Sequence, residues 1–126
     1  HGKDGIYAAS LLVEMMAVSG KKLSEIAEDI RKEYGEIHME ERAYRFTAEE
    51  KERIHKTLMM DQALPEIPFE IDHVSYMDGC KVYLKNGGWV SARFSGTEPL
   101  LRIFCEMQTE HEAVLLCEVF EKFLGL

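Results

Sequence analysis

The first third of the chain shows apolar positions that recur with a helical period. They cover residues 5–18 and end near Gly20, a residue type that commonly stops a helix. A second helical pattern covers residues 23–34, with Ser24 as the expected N-cap and Gly35 at its end. No strand pattern accompanies these helices. We therefore expect them to bury their apolar faces against each other and against a further part of the protein.

Beyond residue 40, apolar and polar positions alternate as they do in strands. The alternating runs lie at 74–77, 81–85, 89–94 and 101–107. Glycine-containing turn signals separate the first three runs, which predicts an antiparallel meander. Capping-box patterns that begin at Thr47 and Thr109 predict one helix before these strands and one after them. Residues 37–46 are expected to be an extended lead-in.

The predicted fold class is α+β, with an antiparallel sheet of about four strands, helices on one face, and two preceding helices that belong to another unit. Near residue 40, the pattern of apolar positions changes from helical to alternating. We therefore assign residues 1–40 to the helical unit and residues 41–126 to the α+β unit. Because the chain begins with His1 rather than Met, we expect it to belong to a longer protein.

Charge and cysteine content narrow the partners and the compartment. The 126 residues carry a net charge of −8, and no run of Lys and Arg exceeds two residues, so we expect no nucleic-acid partner. No apolar stretch is long enough to cross a membrane, and we expect a cytoplasmic protein without a membrane partner. Three cysteines are an odd number and lie in apolar or alternating stretches, which favours buried, reduced thiols over a disulfide framework.

One segment is not explained by packing. It covers residues 93–102, with the sequence RFSGTEPLLR, and joins the last two predicted strands. Its glycine lets the backbone approach a ligand or adopt a positive φ, its two hydroxyls supply short donors, and its successive N–H groups can form an anion-binding nest. An arginine stands at each end, and a planar guanidinium can bind two phosphate oxygens at once. This combination is suited to a phosphate group.

Alternation places Arg93 and Arg102 opposite the apolar residues of their strands, so both guanidiniums are expected to leave the core. If the two strands are adjacent and antiparallel, the arginines flank one loop. Residues 91–105 hold these two arginines against Glu98 alone, a local positive excess within residues 47–126, whose net charge is −6. On spacing alone, a tight turn between two solvated arginines explains the segment equally well, and the local charge favours the phosphate.

The same segment resembles the phosphate-binding loop in the C-terminal domain of the α-D-phosphohexomutases, the family of phosphoglucomutase and phosphomannomutase. The dipeptides DG at 78–79 and WV at 89–90, together with Glu106, extend the resemblance on both sides. Upstream, residues 2–9 (GKDGIYAA) resemble the stretch that follows the sugar-binding loop in the third domain of that family. The order and spacing of the two segments agree with the family over nearly the whole chain.

The resemblance implies that residues 1–40 are the last helices of domain three and that residues 41–126 are domain four, with a fold similar to that of the TATA-box-binding protein but without its DNA binding. In the family, a phosphoserine and a bisphosphate intermediate interconvert hexose 1-phosphate and hexose 6-phosphate. The C-terminal loop holds the phosphate that does not react. Carried over by position, the residues that would hold it are Arg93, Ser95, Gly96, Thr97 and Arg102.

The family's phosphoserine loop, aspartate-rich Mg²⁺ loop and sugar loop have no counterpart in this sequence. We therefore expect no catalytic residue, metal or cofactor in this chain, no activity of the chain alone, and Mg²⁺ only in a full-length parent. No histidine or cysteine spacing suits a metal site. The expected partners are a hexose phosphate and the upstream domains of the same chain. Two alternatives stay open: a phosphoglucosamine mutase, and a non-enzymatic interaction module in which the loop is only a turn.

Overall fold

The structure, a computed structural model, describes residues 3–126. His1 and Gly2, the latter being the first residue of the upstream resemblance, lie outside the described residues. The chain divides into two compact units, the first of which ends at Glu36 while the second is Ile37–Leu126. None of the helices found within residues 3–126 has the length and apolar character needed to cross a membrane.

The first unit contains helices α1 (Gly5–Ser19) and α2 (Leu23–Tyr34). The Asp4 carboxylate caps α1 by accepting a hydrogen bond from the backbone N–H of Tyr7 at 2.9 Å. Gly20 ends the helix in the left-handed conformation, with φ 67°, as the sequence predicts. Neither helix is well covered within the described residues, because α1 has no buried residue and α2 buries only Ile26.

The predicted N-cap of α2 is wrong. Lys22 holds that position, and Ser24 lies inside the first helical turn. The Glu25 carboxylate reaches back and accepts a hydrogen bond from the Lys22 backbone N–H at 2.7 Å. Because this acidic side chain satisfies a free donor at the helix start, the helix begins without a serine at the cap.

The second unit is an α+β domain, which confirms the predicted fold class. Its helices and strands are β1 (His38–Arg45), α3 (Ala48–His55), β2 (Ile71–Ser75), β3 (Cys80–Leu84), β4 (Trp89–Phe94), β5 (Leu100–Met107) and α4 (Glu110–Leu124). A π-helical turn, Lys56–Met60, continues α3. Both predicted helix starts are confirmed, since the hydroxyls of Thr47 and Thr109 accept hydrogen bonds from N–H groups three residues on. The reciprocal bond of a capping box forms at Thr47, whose N–H donates to the Glu50 carboxylate at 2.7 Å, whereas the Glu112 carboxylate accepts from the Thr109 hydroxyl instead.

All strand pairs in the sheet are antiparallel, and the strand order is β1-β5-β4-β3-β2. The sheet therefore has five strands, and the expectation of about four is corrected. The additional strand is β1, at one edge. Its inward side chains include Glu40 and Arg42, so it lacks the apolar alternation that identifies the other strands. Arg42 lies 2.5 Å from a carboxylate oxygen of Glu121 on α4 and 3.0 Å from one of Glu40. Ion pairs replace apolar packing at this edge.

The core lies between α3, α4 and one face of the sheet. Alternate residues of β3, β4 and β5 are buried there, and the predicted apolar stripe of α4 packs against them. The largest contributors include Leu58, Val82, Leu101, Ile103, Leu116 and Phe120. All three cysteines are free and buried in this layer, as predicted. The other face of the sheet, here called the open face, presents the remaining side chains of the same strands.

Candidate functional site

The β4–β5 loop (residues 95–99) connects two neighbouring antiparallel strands. The Ser95 backbone N–H donates to the carbonyl oxygen of Leu100 at 2.8 Å, and the Leu100 N–H donates to that of Glu98 at 2.8 Å. The Thr97 N–H points toward the Ser95 hydroxyl oxygen at 3.5 Å. These bonds close the loop at its base. Its tip carries Ser95, Gly96 and Thr97, which the sequence predicts to bind phosphate.

Gly96 leaves open space at the tip of this loop. Its φ is not positive, so the alternative expectation of a left-handed glycine does not apply here. A Cβ atom built at this position would meet no described atom within 4 Å. The fold itself therefore does not require glycine at this point. Close approach of a ligand to the backbone is a physical reason for glycine that remains.

Arg93 and Arg102 face each other directly across β4 and β5, because their Cα atoms are register partners. The neighbours Ala92, Leu101 and Ile103 are buried on the helix side. The two arginines consequently lie on the open face, beside the base of the loop, which confirms the placement that alternation predicted. Cross-strand partners have Cβ atoms about 5 Å apart, so the two guanidiniums can reach the same ligand.

Each of these arginines contacts a carboxylate of the protein. Arg93 Nη1 lies 2.9 Å from Asp78 Oδ2, and Arg102 Nη2 lies 3.5 Å from Glu98 Oε2. The positive excess calculated along residues 91–105 is therefore cancelled in space, where Asp78 adds a second negative charge. The sequence reasoning missed this neighbour because Asp78 is distant along the chain.

Gly79 is the reason that Asp78 lies so close to Arg93. Its φ is 82°, and a Cβ atom there would lie 2.5 Å from the carbonyl oxygen of Ala92 and 2.9 Å from Cβ of Arg93. Only glycine lets the turn before β3 pack this tightly against β4. The predicted Asp78-Gly79 turn thus has a second effect, since it delivers a carboxylate to the candidate site.

Arg102 has hydrogen-bonding capacity that the described residues do not use. Its Nε atom is buried and has no acceptor among residues 3–126. Its one carboxylate contact, to Glu98, is at the long end of hydrogen-bond range. A buried N–H without a partner costs about 1–3 kcal/mol. The Nε–H of Arg102 is therefore a donor that the described residues leave unsatisfied.

A cavity of about 410 Å³ lies on the open face next to Arg93. Its lining includes Lys81, Trp89 and Ser91. The Lys81 ammonium lies 3.8 Å from the centroid of the Trp89 ring, in cation–π contact. The cavity places further cationic and hydroxyl groups near the loop, but Arg93 is its only member among the five residues carried over from the resemblance.

The described residues of this site include neither a cluster of metal ligands nor a cysteine. Within residues 3–126, no cluster of three or more His, Cys, Asp or Glu side chains could hold a metal ion. The cysteines belong to the opposite, core-facing side of the sheet and to α4. Burial raises the pKa of the Cys80 thiol to about 11, which keeps it protonated at neutral pH.

The antiparallel five-stranded sheet, with helices on one face and an arginine-flanked loop between β4 and β5, is an α+β domain of the TATA-box-binding-protein-like class. A family model described as "Phosphoglucomutase/phosphomannomutase, C-terminal domain" matches residues 47–122. A second, "Phosphoglucomutase/phosphomannomutase, alpha/beta/alpha domain III", matches residues 1–34. The chain belongs to the phosphoglucomutase/phosphomannomutase family, and the resemblance stated from its motifs is confirmed.

Individual relatives agree with this assignment. The chain is 33% identical over 126 residues to a phosphoglucomutase/phosphomannomutase of Thermococcus kodakarensis, covering 98% of this chain and 25% of the relative. It is 32% identical to a probable phosphoglucosamine mutase of Methanothermobacter thermautotrophicus, with coverages of 87% and 23%. It is also 32% identical to a phosphoglucosamine mutase of Geobacillus kaustophilus, with coverages of 85% and 20%. The chain thus spans a quarter or less of the length of these curated relatives.

Proposed function

We propose that the β4–β5 loop and its two flanking arginines bind the phosphate group of a hexose phosphate. The parent protein is proposed to interconvert hexose 1-phosphate and hexose 6-phosphate through a phosphoserine and a bisphosphate. The observation that carries this proposal is the direct pairing of Arg93 with Arg102 beside a loop whose glycine has no structural requirement. Ser95, Gly96 and Thr97 would supply hydroxyl and backbone donors to the same phosphate.

The two carboxylates do not prevent binding, because the competing energies are unequal. Asp78 and Arg93 have side chains that are 75% and 51% exposed, and such solvated pairs contribute about 0.2–1 kcal/mol. Hydrogen bonds between guanidinium and phosphate are charge-assisted and contribute about 1.5–3 kcal/mol each. A phosphate that accepts from both arginines therefore offsets the loss of both ion pairs. The carboxylates are exchangeable partners of the arginines.

The role proposed for this chain is positioning. Holding the distal phosphate restricts a flexible substrate, so that binding energy is used to orient the reacting end. The proposal places no catalytic residue in this chain and expects the isolated chain to be inactive. Mg²⁺ is proposed only for the upstream part of a parent enzyme, and no step here depends on it. The proposed partners are the hexose phosphate and the upstream domains, in the cytoplasm.

A titration followed by NMR tests this proposal. Glucose 6-phosphate added to the ¹⁵N-labelled chain should shift the amide signals of Ser95, Gly96 and Thr97 first. Arg93→Ala should weaken the response at least tenfold, because it removes a charge-assisted contact. Arg31→Ala removes an exposed arginine of α2 and serves as the matched control. If the loop signals stay unchanged at millimolar ligand, or shift equally in Arg93→Ala, the loop is only a turn and the interaction-module alternative is favoured.

Phosphoglucosamine mutase is the second candidate function. It is favoured by the names of two relatives that are 32% identical to this chain, close to the 33% of the first relative. The proposed site contacts the phosphate, which both sugars share, so it does not discriminate between them. Activity of the full-length parent toward glucosamine phosphate and glucose phosphate separates the two candidates. A preference for the amino sugar would replace the first assignment by the second.

A further inference from the structure

Arg45 lies on the open face, one strand beyond the two arginines of the proposed phosphate site. It is the last residue of β1, and its Cα partner on β5 is Leu100. The Leu100 carbonyl in turn accepts the hydrogen bond of the Ser95 N–H. Ser95, Leu100 and Arg45 therefore form one row across three neighbouring backbone segments. Adjacent strands are about 4.8 Å apart, so the Arg45 backbone lies about 10 Å from that of Ser95.

The side chain of Arg45 points to the open face and has room to extend toward the β4–β5 loop. Its neighbour Tyr44 packs against the core, so alternation directs Arg45 to the open face, where it is exposed. The residue opposite Arg102 on β1 is Ala43, whose small side chain leaves room between the two arginines. A long, flexible arginine side chain can extend over this gap toward the loop.

The charges at this end of the sheet distinguish Arg45 from the other two arginines. Arg93 contacts Asp78 and Arg102 contacts Glu98, whereas no ion pair among residues 3–126 includes Arg45. Arg93 and Arg102 are each paired with a carboxylate, so Arg45 adds a positive charge that no carboxylate partner balances. Arg45 therefore strengthens the attraction of an anion, together with Lys81 of the neighbouring cavity. It does so although it is the arginine farthest from the loop.

We propose that Arg45 is the third guanidinium of the phosphate site and that it selects a doubly charged phosphate monoester over a singly charged anion of the same shape. This inference rests on the proposed function and adds a specificity-determining residue to it. An excess charge near the ligand attracts a dianion about twice as strongly as a monoanion, because Coulomb energy scales with the product of the charges. Hydrogen bonds from a third guanidinium would add to this effect.

Glucose 6-phosphate and glucose 6-sulfate are the probes that test this role, since the sulfate ester has the same tetrahedral shape and one negative charge less. At about 20 mM salt, the wild-type chain should bind the phosphate more tightly than the sulfate. Arg45→Gln should weaken phosphate binding about threefold to tenfold and sulfate binding by a smaller factor, so that the ratio falls. Arg45→Lys, which keeps the charge, should retain most of the preference. Arg31→Ala should change neither ligand's affinity.

The outcomes separate this inference from the function on which it rests. If phosphate shifts the loop signals and Arg45→Gln binds both ligands like the wild type, Arg45 has no role and the proposed phosphate site stands. If Arg45→Gln weakens both ligands by an equal factor, Arg45 contributes to binding but charge selection is refuted, and the proposed phosphate site stands. If the wild-type loop binds neither ligand, both proposals fail. Unchanged dispersion of the NMR spectrum in Arg45→Gln shows that the variant is folded, and Arg45→Lys gives an independent test of the charge.

Discussion

The carboxylate of Asp78 makes the phosphate proposal quantitatively testable, because removing its charge should strengthen binding. Asp78→Asn keeps a side-chain oxygen that can accept from Arg93, now 2.9 Å from the carboxylate, but removes the negative charge. A phosphate held by Arg93 would lie about 6 Å from that charge. Two unit charges at this distance in water repel each other by about 0.7 kcal/mol, and a dianion by about twice that. We therefore expect Asp78→Asn to tighten glucose 6-phosphate binding about threefold to tenfold.

The measurement is the same NMR titration, carried out at about 20 mM and at about 500 mM salt. Asp61→Asn is the control, since Asp61 is an exposed carboxylate paired with Lys56 and its removal changes the net charge equally. The gain in affinity should be specific to Asp78→Asn and should shrink at high salt, where the screening length falls to a few ångströms. Equal or weaker binding by Asp78→Asn at low salt would refute the assignment of Arg93 as a phosphate ligand.

Three further predictions concern the loop, a helix cap and a buried thiol. Gly96→Ala should leave the free energy of unfolding within about 0.5 kcal/mol of wild type and weaken phosphate binding. Gly79→Ala places a new Cβ 2.5 Å from a backbone oxygen, so it should lower the free energy of unfolding by about 2 kcal/mol or more. Urea denaturation measures the stabilities, and the phosphate titration measures the binding. Thr47→Ala should lower the free energy of unfolding by about 1 kcal/mol, because the hydroxyl that accepts from the Glu50 N–H at 3.3 Å is lost. An unchanged urea midpoint would contradict the capping assignment. Burial raises the pKa of Cys80 to about 11, so its contribution to stability is complete below about pH 8.5 and is lost as the pH rises toward 11. The free energy of unfolding, measured by urea denaturation, should therefore decline less steeply between these pH values in Cys80→Ala than in the wild type. Parallel declines in the two proteins would argue against this assignment.

Much of the fold was predictable because it depends on local chemistry. The capping boxes at Thr47 and Thr109 and the glycine turns at 78–79 and 86–88 are short-range signals, and the structure confirms the helices and strands that they separate. Strand β1 was not counted, because Arg42 and Glu40 occupy positions where a buried strand normally has apolar residues. The ion pair between Arg42 and Glu121 involves a helix that lies almost eighty residues away in sequence. Such a compensation cannot be read from a local pattern.

The sequence predicts which face of the sheet carries the candidate site, but it does not predict the net charge of the groups around the loop. Alternation alone directs Arg93 and Arg102 away from the core, and the structure adds that they are exact register partners. The contacts that set the net charge are non-local. Asp78 comes from the turn before β3, and Arg45 comes from β1, which the pattern predicts as an extended segment but not as a strand of the sheet. A charge count along residues 91–105 therefore gives a positive excess because it leaves out Asp78, which contacts Arg93 in space.

The same non-local charges explain how an acidic unit can present an anion site. Screening at physiological ionic strength limits the influence of exposed charges to about 8 Å, so the negative excess of residues 47–126 acts weakly at the loop. Beside the loop, Arg93 and Arg102 are paired on the open face with exchangeable carboxylates, and the proposed role of Arg45 is to add a further positive charge. The ion pairs keep the guanidiniums near the loop while unliganded, and their small energies allow a phosphate to replace them. Affinity at such a site is set by the cluster itself and is only weakly sensitive to charge elsewhere on the unit.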